Sequence, residues 1–148
     1  MVIIKQYPQE LAIPYHLLLD ADPSKKLVDK YLSSGILFGA FYHIELAGVC
    51  LLIFHNNITA EIINLAVLEK YRNKNIGKSL ISMAENQARL GGIKYMEIGT
   101  SENIVKYYEK QGYKYYKTKK NFFIENYEFP VIDNGLILKD MIRLIKNL

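Results

Sequence analysis

EIINLAVLEKYRNKNIGKSLISMAENQARLG, residues Glu61 to Gly91, reads as a strand, a tight basic loop and an amphipathic helix, and the rest of the chain is organised around it. Ile62, Ile63, Leu65, Ala66 and Val67 make a mostly apolar run, the pattern of a strand covered on both faces. Ile76, Leu80, Ala84 and Ala88 recur every fourth residue, with Lys78, Ser82, Glu85 and Arg89 on other faces, so the helix has one core stripe. Gly91-Gly92 stops it. The loop between holds the turn-forming Asn73 and Asn75, then Gly77, and the cations Arg72, Lys74 and Lys78. Such a loop presents the unpaired N–H groups of the first helical turn, and with the helix dipole they form an anion site for which phosphate is the obvious occupant. A solvated helix start with ordinary surface lysines is the alternative. Gly77-Lys78-Ser79 is only the end of a Walker A sequence, because Arg72 stands where its first glycine belongs, and ATP is disfavoured.

Composition sets the outer bounds. At 148 residues, half of them hydrophobic, the chain is expected to form one domain, residues 1–148, with a self-supporting core. The net charge of +4 suits an anionic ligand. Six lysines between Lys106 and Lys120 alternate with tyrosines in strand fashion and read as a solvated face rather than a nucleic-acid surface. Cys50 is the lone cysteine and lies in an apolar run, which places it in the core and favours a reducing compartment. MVIIKQYPQE is too poor in apolar residues for a signal peptide, and no 18 apolar residues run together. The expectation is a soluble, cytoplasmic protein with no membrane partner. The three histidines are scattered without ligand spacing, so no metal site is expected.

In chain order, Val2 to Gln6 is a strand and Glu10 to Leu19 a helix bent or interrupted at Pro14. Asp22 as N-cap and Pro23 at the first helical position open another helix, with Leu27, Val28, Tyr31 and Leu32 as its stripe. Tyr15 and His16 line a pocket wall on one reading; His16 as a plain surface histidine is the stronger one. Ile36 to Ile44 and Ala47 to Phe54 are strands joined near Glu45-Leu46, and His55-Asn56-Asn57 turns into Ile58 to Val67, a three-strand antiparallel meander. A crossover through the helix reaches a strand at Lys94 to Gly99, which predicts a parallel pair and a mixed sheet. Glu102 to Gln111 is a helix capped by Ser101, Tyr113 to Thr118 a strand, and Asn121 to Tyr127 a short helix or lid. Gly135 to Lys146 reads as a last strand, with a helix as the alternative. Nine of the eighteen aromatics lie between Tyr107 and Phe129, mainly as core and rim, or as a roof over an amine pocket with Glu125 and Glu128.

Val67-x-x-x-x-Arg72-x-x-Asn75-x-Gly77 resembles the acyl-CoA signature of the GNAT superfamily of N-acetyltransferases. One position departs, since Asn75 replaces the usual first glycine, but Asn visits positive φ readily. The later run from Gly99 to Tyr113, GTSENIVKYYEKQGY, is similar to a second motif of that family. The resemblance implies an α/β (α+β) fold with a mixed, mostly antiparallel central sheet flanked by helices, in which a splayed parallel strand pair admits acyl-CoA. It implies that Arg72, Asn73, Lys74, Asn75, Ile76, Gly77, Lys78 and Ser79 hold the pyrophosphate of acetyl-CoA. By the same resemblance Leu65, Ala66 and Val67 offer backbone partners to the pantetheine, which Asn103 also reaches. Tyr108 matches the tyrosine that serves the departing thiolate, with Tyr107 as the alternative if the helix is rotated. Glu61 occupies the place of a carboxylate base, and strict two-residue alternation puts it on one face with Ile63, Leu65 and Val67; an exposed strand-start glutamate is the competing reading. The implied activity is acetyl transfer from acetyl-CoA to a primary amine, of a small molecule or a peptide, by direct attack in a ternary complex. A non-catalytic CoA-binding module and a small basic nucleic-acid-binding protein are the alternatives. Either a monomer or a homodimer is compatible with the sequence.

Overall fold

The apolar stretch from Ile36 to Val67 folds back on itself twice. In this computed structural model, which describes residues 1–148, β1 (Val2–Gln6), β2 (Ile36–Tyr42), β3 (Glu45–Phe54) and β4 (Thr59–Val67) pair in sequence, each antiparallel to the next. The β2–β3 turn falls at His43-Ile44, slightly before the expected Glu45-Leu46, because His43 takes the left-handed conformation (φ 55°) that closes it. At the next turn the Asn56 side-chain oxygen accepts from the N–H groups of Ile58 and Thr59, both at 2.9 Å. These strands belong to the first of two units, Met1–Met96 with Leu148; the second is Glu97–Asn147.

Within the first unit the strands carry helices on both faces. α1 (Tyr15–Ala21) and α2 (Lys25–Leu32) cover one face, where Leu17, Leu18 and Val28 pack with Val49 and Ala66. α1 begins after Pro14 instead of bending around it, since proline cannot donate within a helix. α2 is capped by Ser24, whose Oγ accepts from Leu27 N–H at 3.3 Å; the predicted cap, Asp22, instead accepts from Ser24 N–H and turns the chain one step earlier. α3 (Ile76–Leu90) covers the opposite face. It lies so close that a Cβ placed on Gly48 would sit 3.2 Å from Leu80 Cδ1 and 2.9 Å from the Ala66 carbonyl oxygen. The expected stripe of Ile76, Leu80, Ala84 and Ala88 is buried, as is Cys50. Glu85 corrects the prediction: it is buried with Ile81 and Gly77, because a helix lying flat on a sheet hides more of its circumference than a single row.

β5 (Tyr95–Thr100) runs from the first unit into the second, and a 3-10 turn, Glu102–Ile104, then leads into a short α4 (Val105–Glu109). Ser101 makes no cap hydrogen bond there, contrary to expectation, and its buried Oγ has no partner. β6 (Lys114–Lys119) leads to α5 (Phe122–Glu125), whose Phe122 and Phe123 pack with Tyr127. β7 (Ile132–Asp133) and β8 (Leu136–Ile137) form a small hairpin around Asn134-Gly135, both at positive φ, and β9 (Met141–Asn147) pairs antiparallel with β6. The C-terminal segment is thus strand, but Gly135 serves the hairpin and the long strand starts only at Met141. Behind it the buried Arg143 donates to Glu97 at 3.3 Å, and Tyr116 hydroxyl donates to the same carboxylate. No helix is long and apolar enough to cross a membrane.

Leu80 is fully buried at the junction of α3 with the strands, so Leu80→Ala is expected to cost about 3 kcal/mol in urea unfolding, while Ser82→Ala on the exposed face shifts stability by under about 0.5 kcal/mol. Equal losses from the two would contradict this packing.

Candidate active site

The loop between β4 and α3 is braced before it turns. A 3-10 turn, Glu69–Tyr71, is tied back to the start of β3: Tyr71 hydroxyl donates to Glu45 Oε1 at 2.5 Å and Lys70 Nζ lies 2.8 Å from Oε2. The Lys70 and Tyr71 contacts hold the Glu45 carboxyl below its ordinary range, and the bond to Glu45 pushes the Tyr71 phenol up to about 12. Beyond the turn, Asn73 (φ 61°) and Asn75 (φ 62°) both take the left-handed conformation. Asn75 is the N-cap of α3, yet its side chain caps nothing. Its carbonyl accepts from the N–H and Oγ of Ser79, each at 3.0 Å. The first-turn amides of a 15-residue helix are therefore left without a capping side chain, which is the electrostatic requirement of an anion site.

The predicted loop residues cluster here. Arg72, Asn73, Lys74, Asn75, Lys78 and Ser79 are exposed around the helix start, whereas Ile76 and Gly77 are buried and can offer only backbone. Arg72 reaches back: its Nε donates to the Val67 carbonyl at 3.1 Å and Nη2 lies 3.5 Å from Asp20. Both partners of that ion pair are more than half exposed, so it contributes little to stability and leaves the guanidinium available to a ligand. A cleft of about 420 Å³ opens beside the loop, lined in part by Tyr42, Tyr71, Lys74, Ile76 and Ser79.

β4 is not a regular strand. Leu51 faces Asn64 and Leu52 faces Ile62, so Ile63 has no opposite number and forms a bulge. The extra residue reverses the alternation. Leu65 and Val67 stand opposite Cys50 and Gly48 on the α3 face, whereas Glu61 stands opposite Ile53 and shares the α1–α2 face with Asn64 and Ala66. Strict alternation had put Glu61 with Ile63, Leu65 and Val67; the bulge overturns that placement. Glu61 is also no exposed strand-start residue, being only 4% exposed, and its Oε1 lies 2.8 Å from Nε2 of His55. Asn64 is 5% exposed; its Nδ2 donates to the Leu18 carbonyl at 2.9 Å while its Oδ1 has no partner. Neither His55 nor Asn64 was a site candidate by sequence, because a one-residue bulge leaves no compositional mark and His55 read as part of a turn.

In the second unit, Tyr108 is buried (9% exposed) with edge-on contacts to Tyr107 at 5.1 Å and Tyr113 at 6.2 Å. Tyr107 is 40% exposed, and Asn103 lies exposed in the 3-10 turn. His16 is exposed on α1, in keeping with a plain surface histidine. No group of three or more His, Cys, Asp or Glu side chains is placed to hold a metal ion.

Comparison with known proteins gives these features a context. Residues 6–113 match the model of the acetyltransferase (GNAT) family. The uncharacterized N-acetyltransferase YvbK of Bacillus subtilis is 38% identical over 137 residues, covering 90% of this chain and 88% of that protein. A GNAT family acetyltransferase from Elizabethkingia anophelis, solved with acetyl-CoA bound, superposes with a TM-score of 0.94 at 39% identity, over 99% of this chain and 98% of that one. A Bacillus subtilis acetyltransferase in complex with CoA gives a TM-score of 0.90 at 35% identity, over 100% and 99%. An uncapped helix start behind a left-handed asparagine, the matched family sequence and the whole-chain superpositions agree: the chain belongs to the GNAT family of acetyltransferases, with its mixed α/β fold.

Proposed function

We propose that this enzyme, acting as one domain of residues 1–148 in the cytoplasm, transfers acetyl from acetyl-CoA to a primary amine of a small molecule or peptide by direct attack in a ternary complex. The observation that carries the reading is the α3 N-terminus, open to an anion and ringed by Arg72, Lys74 and Lys78. Relatives solved with acetyl-CoA or CoA support the choice of cosubstrate. Acetyl-CoA supplies the activated thioester, whose carbonyl the amine attacks and whose thiolate departs. The amides from Asn75 to Ser79 and the three cations hold the pyrophosphate. The backbone of Leu65 to Val67, beyond the bulge at Ile63, aligns the pantetheine, and Asn103 adds a polar contact to it. Tyr108 donates a hydrogen bond or a proton to the thiolate; its burial beside Tyr113 favours it over the more exposed Tyr107. Glu61, on the α1–α2 face of β4, accepts the ammonium proton through water.

Incubation with acetyl-CoA and a panel of primary amines, followed by free-thiol release, tests the reading: at least one amine is expected to drive turnover, and Tyr108→Phe to lower kcat on the order of 100-fold with the KM for acetyl-CoA little changed. A full kcat in that variant would remove Tyr108 from the mechanism. The loop is tested separately. Asn75→Gly is expected to keep the KM for acetyl-CoA, whereas Asn75→Val, a β-branched residue forced to φ 62°, raises it roughly tenfold. Equal KM values in both variants would show that the left-handed turn does not shape the site.

A further inference from the structure

We propose that His55 is the proton exit of the active site, carrying to bulk water the proton that Glu61 takes from the acceptor amine; this rests on the reading of Glu61 as the base. A base that works through many turnovers must discard a proton each time. The Glu61 side chain is only 6% exposed, so it has little direct contact with water. The His55 side chain is 41% exposed, and its Nε2 lies 2.8 Å from Glu61 Oε1. The imidazole therefore touches the buried carboxylate at one end and solvent at the other.

The backbone fixes this contact. Glu61 stands opposite Ile53, and His55 is the next residue of β3's line on the same face, held where its N–H donates to the Thr59 carbonyl at 2.9 Å. With Asn56 closing the turn on Ile58 and Thr59, the histidine is anchored on a hairpin end and not on a free loop. The steps balance. At rest the ring donates its Nε2 proton to the Glu61 carboxylate. An ammonium N–H bond breaks as an O–H bond forms on Glu61; exchange of the exposed ring with water moves its proton from Nε2 to Nδ1; the Glu61 O–H then breaks as Nε2 is protonated, and the imidazolium releases its Nδ1 proton to water. Carboxylate and the starting Nε2–H tautomer are restored. No oxidant or further reactant is needed.

The test compares H55A, H55Q and E61Q in weak buffer, with saturating acetyl-CoA and an amine that turns over. H55A is expected to lose kcat on the order of tenfold with the KM for acetyl-CoA unchanged, and added imidazole, entering the vacated surface site, restores most of it while leaving wild type unaffected. H55Q can still hydrogen-bond to Glu61 but cannot relay, so it too is slow at a wild-type thermal midpoint; it decides the matter should H55A fold poorly. E61Q is slow and insensitive to imidazole. A slow E61Q beside a fast or imidazole-insensitive H55A, or an H55Q with wild-type kcat, overturns the relay while leaving the base in place. An E61Q at full rate overturns base and relay together.

Discussion

The start of α3 is the constraint on which the site depends. A helix needs something at its first turn to answer four unpaired N–H groups, and the usual answer is a Ser, Thr, Asp or Asn side chain turned inward. Asn75 is the right residue for that task and does not perform it. It spends its conformational latitude on the left-handed φ that brings the chain from Arg72 into the helix, while its carbonyl takes Ser79. Asparagine tolerates that region better than most side chains, which is why it can hold this turn without a glycine. The amides are then left for a ligand, and the Glu45 brace on Lys70 and Tyr71 keeps the approach to the loop in place.

The second constraint is the bulge at Ile63. Without it, Glu61 would lie on the face covered by α3. With it, one strand presents Leu65 and Val67 to one face and Glu61 with Asn64 to the other. Burial of Glu61 and of Asn64 on the α1–α2 side follows from the same single extra residue. The contact with His55 depends on the hairpin register three residues away. A small backbone irregularity thus sets which side chains can act as base, relay or positioning group.

These two features differ in how far they could be read beforehand. The loop and helix were legible because their signals are local: Asn-x-Asn, the glycine, the cations and the four-residue stripe all fall within seventeen residues of one another. Leu80, Ala84 and Ala88 followed from periodicity and Cys50 from its apolar run, and all four are buried. Glu85 did not, since periodicity gives the centre of a buried stripe but not its width. The face of Glu61 was misplaced because alternation assumes an unbroken ladder. The Asp22 and Ser101 caps were misassigned for a related reason: several residues in each stretch have capping chemistry, and only the backbone geometry decides which one faces the free amides.

Thermal unfolding with acetyl-CoA, set against ATP at the same concentration, tests the central claim most directly. If the α3 N-terminus and its cations form an acyl-CoA site, acetyl-CoA at 100 times its dissociation constant adds about 2.7 kcal/mol and raises the midpoint by several degrees, and ATP does not match it. An unchanged midpoint in folded protein, or an equal shift with ATP, would contradict the account.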